Sequence, residues 1–241
     1  MQEEKRLKLF ALDTATEIGG VALLEGSVLR GEARIRVDKT HASQLWKTIY
    51  DLLAQTGWTL ADIDGWAVTI GPGSFTGLRI GLATIKGLAL ATRKPVIGIS
   101  TLDVLAGTFP YSPHLICPTI DARKKEVFCA FYRSNSQGKV EQVGEPRNIK
   151  PGILAEEINE PVLLVGSGAR LYADLFREKL GDLALIPEAH LHLLSPYAVG
   201  LMAFERFQLG VKPSLEEIRP LYIRPSDAEL GIKGLKPSLT P

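Results

Sequence analysis

The sequence predicts an α/β protein of two similar lobes. Short apolar runs with strand character alternate with helical periods along the chain, and the succession βββαβαβα occurs once in the first half and again in the second. At 241 residues the chain is long enough for two cores of about 100 to 120 residues each. The expected division is residues 1–108 for the first lobe and 109–241 for a smaller second lobe with an extended tail.

In the first half, Leu7 to Leu12 ends in Asp13-Thr14-Ala15-Thr16, and Gly19 to Leu24 precedes the alternating stretch Val28 to Val37, so these read as three strands. His41 to Thr56 turns helical, with Leu45, Ile49, Leu52 and Leu53 on one stripe. Trp66 to Ile70 is a fourth strand, and the loop Gly71-Pro72-Gly73-Ser74-Phe75-Thr76-Gly77 opens a helix running to Arg93. Strand Val96 to Ile99 and a helix from Thr101 complete this half.

After the break at Tyr111-Ser112-Pro113, the strands Leu115 to Asp121, Glu126 to Arg133 and Lys139 to Val143 begin the second half. Pro151 to Ile158 is a helix with proline at its first turn, Val162 to Val165 a strand, and Ser167 to Leu180 a helix. Leu183 to Ile186 is a further strand and Ser195 to Leu209 the last helix.

Composition narrows the function. Twenty-eight basic against 27 acidic side chains provide no surplus field for holding a polyanion, which disfavours strong direct binding of nucleic acid. Met1 to Lys8 lacks the apolar core of a signal peptide, and no run reaches the roughly 18 apolar residues of a membrane span, so a cytoplasmic protein is expected. Cys117 and Cys129 fall in two runs that can pair as a hairpin, and without secretion they read as buried, reduced thiols. The histidines, His41, His114, His190 and His192, form no His-x-x-x-His pair, and no metal is expected.

Three segments fall where open α/β sheets bind ligands. Asp13 ends an apolar strand at a sheet's carboxyl edge, and it reads equally as a turn aspartate bonded to its own backbone. The loop Gly71 to Gly77 leads into a helix whose amides suit an anion. It lacks the Walker spacing, and its glycines also suit a tight turn with Ser74 or Thr76 as cap. Asp121-Ala122-Arg123 ends the first strand of the second half as Asp13 ends that of the first, which points to a shared cleft. The short basic runs Arg93-Lys94 and Arg123-Lys124-Lys125 read as solvated surface, with a nucleic-acid backbone contact within a larger complex as the alternative.

The helix after the glycine loop is apolar nearly all round, with only Arg79, Thr84 and Lys86 clearly polar. Such a helix must be covered on every side. Trp46 and Tyr50 lie off the core stripe of the preceding helix, while Gly77 and Gly81 allow close approach of another helix. Burial within the chain and pairing with a partner or second copy both account for this.

Four strings together closely resemble the bacterial TsaB, or YeaZ, family: Leu-Asp-Thr-Ala-Thr at 12–16, Gly-Pro-Gly-Ser-Phe-Thr-Gly-Leu-Arg-Ile-Gly at 71–81, Lys-Gly-Leu-Ala at 86–89 and Ile-Asp-Ala-Arg at 120–123. The resemblance spans most of the chain and rests beyond Pro151 on element order. It implies the actin-like ATPase (ASKHA) fold and a non-catalytic subunit that binds and activates TsaD. The reaction implied is transfer of threonylcarbamoyl to N6 of the tRNA adenosine adjoining the anticodon. It further implies TsaE as a second partner, a homodimer when the chain is alone, and tRNA contact that is indirect or weak.

The implied interface is a four-helix contact. It draws on Leu45, Trp46, Ile49, Tyr50 and Leu53 of one helix and on Gly77, Ile80, Gly81, Ala83, Thr84, Gly87 and Leu88 of the other. ATP or ADP at a lobe cleft or subunit junction would involve Asp13, Gly73, Ser74, Asp121, Arg123, Gly166 and Gly168. Where TsaD carries His-Leu-Glu-Ala-His, this chain has Thr101-Leu102-Asp103-Val104-Leu105. Leucine offers no donor atom, so the resemblance implies no metal-assisted chemistry and no catalytic residues here. The same loss removes a metallopeptidase reading. A stand-alone small-molecule kinase or ATPase is the main rival, and a purely structural homodimer the other.

Overall fold

The computed structural model describes residues 6–36, 41–211 and 214–223. The first sheet holds β1 (Lys8–Asp13), β2 (Ile18–Glu25), β3 (Val28–Arg36), β4 (Gly65–Gly71) and β5 (Val96–Ser100), with helices α1 (His41–Thr56), α2 (Phe75–Thr92) and α3 (Thr101–Gly107) between and after them. The second holds β6 (Leu115–Asp121), β7 (Val127–Ser134), β8 (Val140–Ile149), β9 (Val162–Val165) and β10 (Ala184–Leu185). Its helices are α4 (Pro151–Glu157), α5 (Ser167–Leu171), α6 (Ala173–Leu180) and α7 (Pro196–Gln208).

The repeat of element order is a repeat of topology. The first sheet is ordered β3-β2-β1-β4-β5 and the second β8-β7-β6-β9-β10. In each, three strands form an antiparallel meander, and the first of them pairs in parallel with the fourth. Parallel neighbours need a crossover, which is where the helices enter.

Strand alternation sorts side chains onto two faces. Phe10, Leu12, Val21, Leu23, Trp66 and Val68 face α1 and α2, whereas Leu9, Ala11, Ala22, Leu24 and Ala67 join a core that includes α3, α7 and residues of the second sheet. A third core on the far face of the second sheet joins Val127, Leu154, Leu164, Ala169 and Phe176. The layers therefore run α1/α2, first sheet, α3/α7, second sheet, α4/α6.

Helix α7 departs from chain order. Counted with residues 109–241, it packs on the first sheet, where Gly200 lies against Leu24 and Arg206 donates a 2.8 Å hydrogen bond to the Gly98 carbonyl. The apolar face of β1 and β2 has to be covered, and α7 supplies that cover. The helix expected over Ser167 to Leu180 is divided at Tyr172, whose φ of −111° and ψ of 23° leave the helical region. The strand expected at Lys139 to Val143 continues to Ile149 through an irregular register against β7, and that expected at Leu183 to Ile186 shortens to Ala184–Leu185.

The fit of α7 to the sheet is tight enough to test. A Cβ on Gly200 would come within 2.3 Å of Leu24 Cδ1, a fully buried side chain. Gly200→Val should lower stability by about 1–3 kcal/mol in urea unfolding. Unchanged stability would mean that α7 is not held as described.

Candidate functional site

The carboxyl ends of β1, β4 and β6 converge on a cleft of about 970 Å³ between the lobes, lined by the turn after β1, the glycine loop, the turn after β6 and the start of α5. Of the residues expected there, Gly73, Ser74, Asp121 and Arg123 line it. The other three do not.

Asp13 is fully buried beneath the cleft. Its Oδ1 accepts hydrogen bonds from the Ala15 amide at 3.0 Å and the Thr69 hydroxyl at 2.7 Å, so it staples its own turn to β4. Its Oδ2 is buried without a hydrogen-bond partner among the described residues. Burial pushes the carboxyl up to about 6, against the two hydrogen bonds and the charge of Arg34, which pull it down. Of its two readings, the turn aspartate describes its contacts.

The glycine loop is packed against that turn. The Ser74 amide donates to the Ala15 carbonyl at 2.7 Å, and the Ser74 hydroxyl caps α2 by accepting from the Gly77 amide at 3.2 Å. A Cβ on Gly73 would lie 2.3 Å from the Ala15 carbonyl oxygen, and one on Gly77 2.1 Å from that of Thr14. Both glycines are required by this contact, and Ser74 is the cap. Gly166, at φ 101°, and Gly168 lie against Thr119 behind the cleft, where a Cβ would meet backbone at 2.4 Å and 3.1 Å.

At the second turn, Asp121 Oδ1 accepts from the Arg123 amide at 2.8 Å and its Oδ2 pairs with the Arg123 guanidinium at 3.1 Å. Arg123 reaches Glu17 of the other lobe at 3.9 Å, and Glu17 pairs with Arg36 at 3.0 Å. An alternating chain of charges thus crosses the cleft.

His192 was not singled out by spacing. It is buried, accepts from the Gly166 amide through Nδ1 at 3.1 Å and donates from Nε2 to the Pro187 carbonyl at 2.9 Å. These bonds require the neutral ring, and burial lowers its pKa in the same direction. Its partner lies 26 residues away, so no local signal reveals it. Cys117 and Cys129 are buried free thiols. Among the described residues no three of His, Cys, Asp and Glu form a group suited to a metal.

The outer surface of α1 and α2 is the other candidate. Leu45, Ile49, Leu53 and Leu88 are buried in the chain's own core. Gly77 and Gly81 also face inward, since a Cβ on Gly81 would lie 2.2 Å from Thr14 Oγ1. Their expected service to a neighbouring helix is corrected accordingly: the close approach they permit is to the turn after β1. Ala83 and Gly87 are exposed, Trp46, Ile80 and Thr84 half-buried, and Tyr50 is 59% exposed. Leu90, missed by sequence reasoning, is 67% exposed on the same helix. The helix is apolar all round, but the described chain covers only one side of it.

Two repeated sheets around a cleft define a protein of the actin-like ATPase fold. An activator of 2-hydroxyisocaproyl-CoA dehydratase from Clostridium difficile, solved with bound ADPNP, shares that fold with a TM-score of 0.50 at 12% identity, covering 86% of this chain and 99% of that one. The family model described as TsaD, tRNA N6-adenosine threonylcarbamoyltransferase, matches residues 35–232. The tRNA threonylcarbamoyladenosine biosynthesis protein TsaB of Escherichia coli is 31% identical over 225 residues, covering 90% of this chain and 95% of the relative. A Pseudomonas aeruginosa structure, described as similar to peptidase YeaZ, aligns with a TM-score of 0.75 at 29% identity, covering 90% of this chain and all of that one. The chain belongs to the TsaB, or YeaZ, family.

The buried Asp13 carries a pH test. Its folded pKa is raised above the unfolded value of 3.8, so its contribution to stability is fully present below that value and is lost as pH rises through about 6. Asp13→Asn keeps an oxygen for Ala15 and Thr69 and removes the charge. It should gain about 1–3 kcal/mol over the wild type at pH 8 in urea unfolding, with the gain shrinking toward pH 4. A less stable variant at pH 8 would show that the charge is compensated.

Proposed function

We propose that the chain is a non-catalytic subunit that binds TsaD through the outer face of α1 and α2 and activates it. The reaction served is transfer of threonylcarbamoyl to N6 of the tRNA adenosine adjoining the anticodon. The observation that carries this reading is the apolar face of Trp46, Tyr50, Ile80, Ala83, Gly87 and Leu90, which the described residues leave exposed or only half-covered. Small residues at Ala83 and Gly87 let another helix approach, and a Cβ on Gly87 would meet nothing within 4 Å. Trp46 and Tyr50 rings, 6.0 Å apart, supply the large contact area characteristic of interface centres.

Burial supports the non-catalytic reading. Asp13 is sealed away from the cleft, and Thr101 and Leu105 are core residues of α3. On this reading the catalytic site belongs to the partner, and this chain acts by holding the partner's helices in place. On the same reading, this face pairs two copies about a two-fold axis when TsaD is absent. TsaE is the further partner, and the complex works in the cytoplasm. ATP or ADP would enter at the lobe cleft or the subunit junction, where Gly73, Ser74, Asp121 and Arg123 are among the residues of this chain that line the cleft.

The pairing is testable by light scattering during size-exclusion chromatography with the TsaD of the same organism. Wild type should form a one-to-one heterodimer. Ala83→Glu and Gly87→Arg place an unpaired charge in the contact at about 3–5 kcal/mol, which lowers affinity a hundredfold or more while the monomer stays folded. Heterodimers formed by both variants at wild-type affinity would remove α2 from the interface.

A further inference from the structure

The segment after α7 returns to the cleft and builds a feature that neither the α1/α2 face nor the cleft's own turns account for. Ile218 is buried in the core of the first lobe, and the Leu221 amide donates a 2.7 Å hydrogen bond to the Ile70 carbonyl at the end of β4. The next residue, Tyr222, stacks on Phe75 of the glycine loop, with ring centroids 5.5 Å apart and planes inclined by 29°. Arg79 locks the pair: its guanidinium carbon lies 3.8 Å from the Phe75 ring centre, and its Nε donates to the Tyr222 hydroxyl at 3.2 Å. Phe75 and Tyr222 remain 40% and 39% exposed. A pair of aromatic rings held rigidly at a surface, with a cation against them, has more order than a solvated patch requires.

The surroundings carry a small surplus of positive charge. Arg36, Arg123 and Arg170 line the same cleft as the two rings, with Glu17 and Asp121 as its acidic members, both engaged with arginines. Beside them, Arg123, Lys124 and Lys125 take consecutive left-handed conformations, with φ of 60°, 53° and 61°. Non-glycine residues rarely hold this region, and such strain concentrates at functional positions. All three of these side chains are exposed. In a chain of net charge +1, this is a local concentration of cations around an aromatic platform.

We propose that the Phe75–Tyr222 stack and the basic turn at Arg123–Lys125 form a contact for RNA. An unpaired base would stack on the Tyr222 ring, with flanking phosphates on the basic residues of the turn and on Arg170. Base stacking with backbone contacts is how proteins hold unpaired RNA, and it does not require a high overall charge. This inference rests on the reading of the chain as a subunit of a tRNA-modifying complex. It adds a direct contact where that reading expects tRNA to be reached indirectly or weakly.

The test uses the heterodimer with TsaD and a fluorescently labelled, unmodified tRNA transcript, with heterodimer formation measured separately by light scattering. Tyr222→Ala should weaken tRNA binding about tenfold without affecting the heterodimer, while Tyr222→Phe, which keeps the ring, should bind as wild type. Lys125→Asn removes a charge and suits the left-handed turn. It should make the dependence of log affinity on log salt shallower by about one. A normal heterodimer that binds tRNA equally well with all these variants would overturn the contact and leave the partner reading standing. Loss of the heterodimer in Tyr222→Ala would assign the stack to a protein interface instead. A wild-type chain that forms no heterodimer, or a heterodimer that binds no tRNA, would overturn the underlying reading and this contact with it.

Discussion

The fit of the turn after β1 into the glycine loop after β4 is the contact on which both candidate surfaces depend. Carbonyl oxygens of Thr14 and Ala15 occupy the space that side chains on Gly73 and Gly77 would need, and the Thr14 hydroxyl donates to the Gly77 carbonyl at 2.8 Å. Together with the Ser74 cap, this sets where α2 begins and how it is rotated. The rotation decides that Leu78, Leu82 and Ile85 enter the core while Ala83 and Gly87 remain outside. It also puts Phe75 at the cleft rim, where Tyr222 meets it. The exposed face of α2 and the cleft therefore share one anchor.

A second set of contacts joins the lobes. Arg206 of α7 pairs with Asp103 of α3 at 3.6 Å, and Asp103 Oδ1 accepts from the Tyr132 hydroxyl of β7 at 2.8 Å. Burial and the neighbouring carboxylate both raise the Tyr132 pKa, so its proton stays to make this bond. At the other end of α7, Glu32 accepts from the Ser195 hydroxyl and the Tyr197 amide at 2.8 Å and 3.0 Å. With α3 and α7 packed between the sheets, the cleft has a floor of helices and polar ties. Movement of one lobe against the other would have to disturb these bonds and the Arg36–Glu17–Arg123 chain at the rim together.

Much of this was legible in the residues. Phe10, Leu12, Leu23 and Trp66 announce central strands by their spacing, and the doubling of βββαβαβα anticipates the doubled sheet order, because local periodicity reports which face of each element is buried. The string at 71–81 was specific enough to carry the family. What spacing could not supply was direction across space. Gly77 and Gly81 were legible as positions of close approach, but whether to a partner helix or to Thr14 depends on contacts more than 60 residues distant.

By itself, then, the sequence determined the order and type of the elements, the family and the apolar character of α2, since each is written in residues within a few positions of one another. Only the tertiary structure decided that Asp13 lies under the cleft instead of in it, that α7 covers the first sheet, that His192 holds the Gly166 amide and that Tyr222 completes an aromatic stack with Phe75. These are pairings between distant segments. They are selected by the packing of whole sheets and helices, and no local pattern of side chains encodes them.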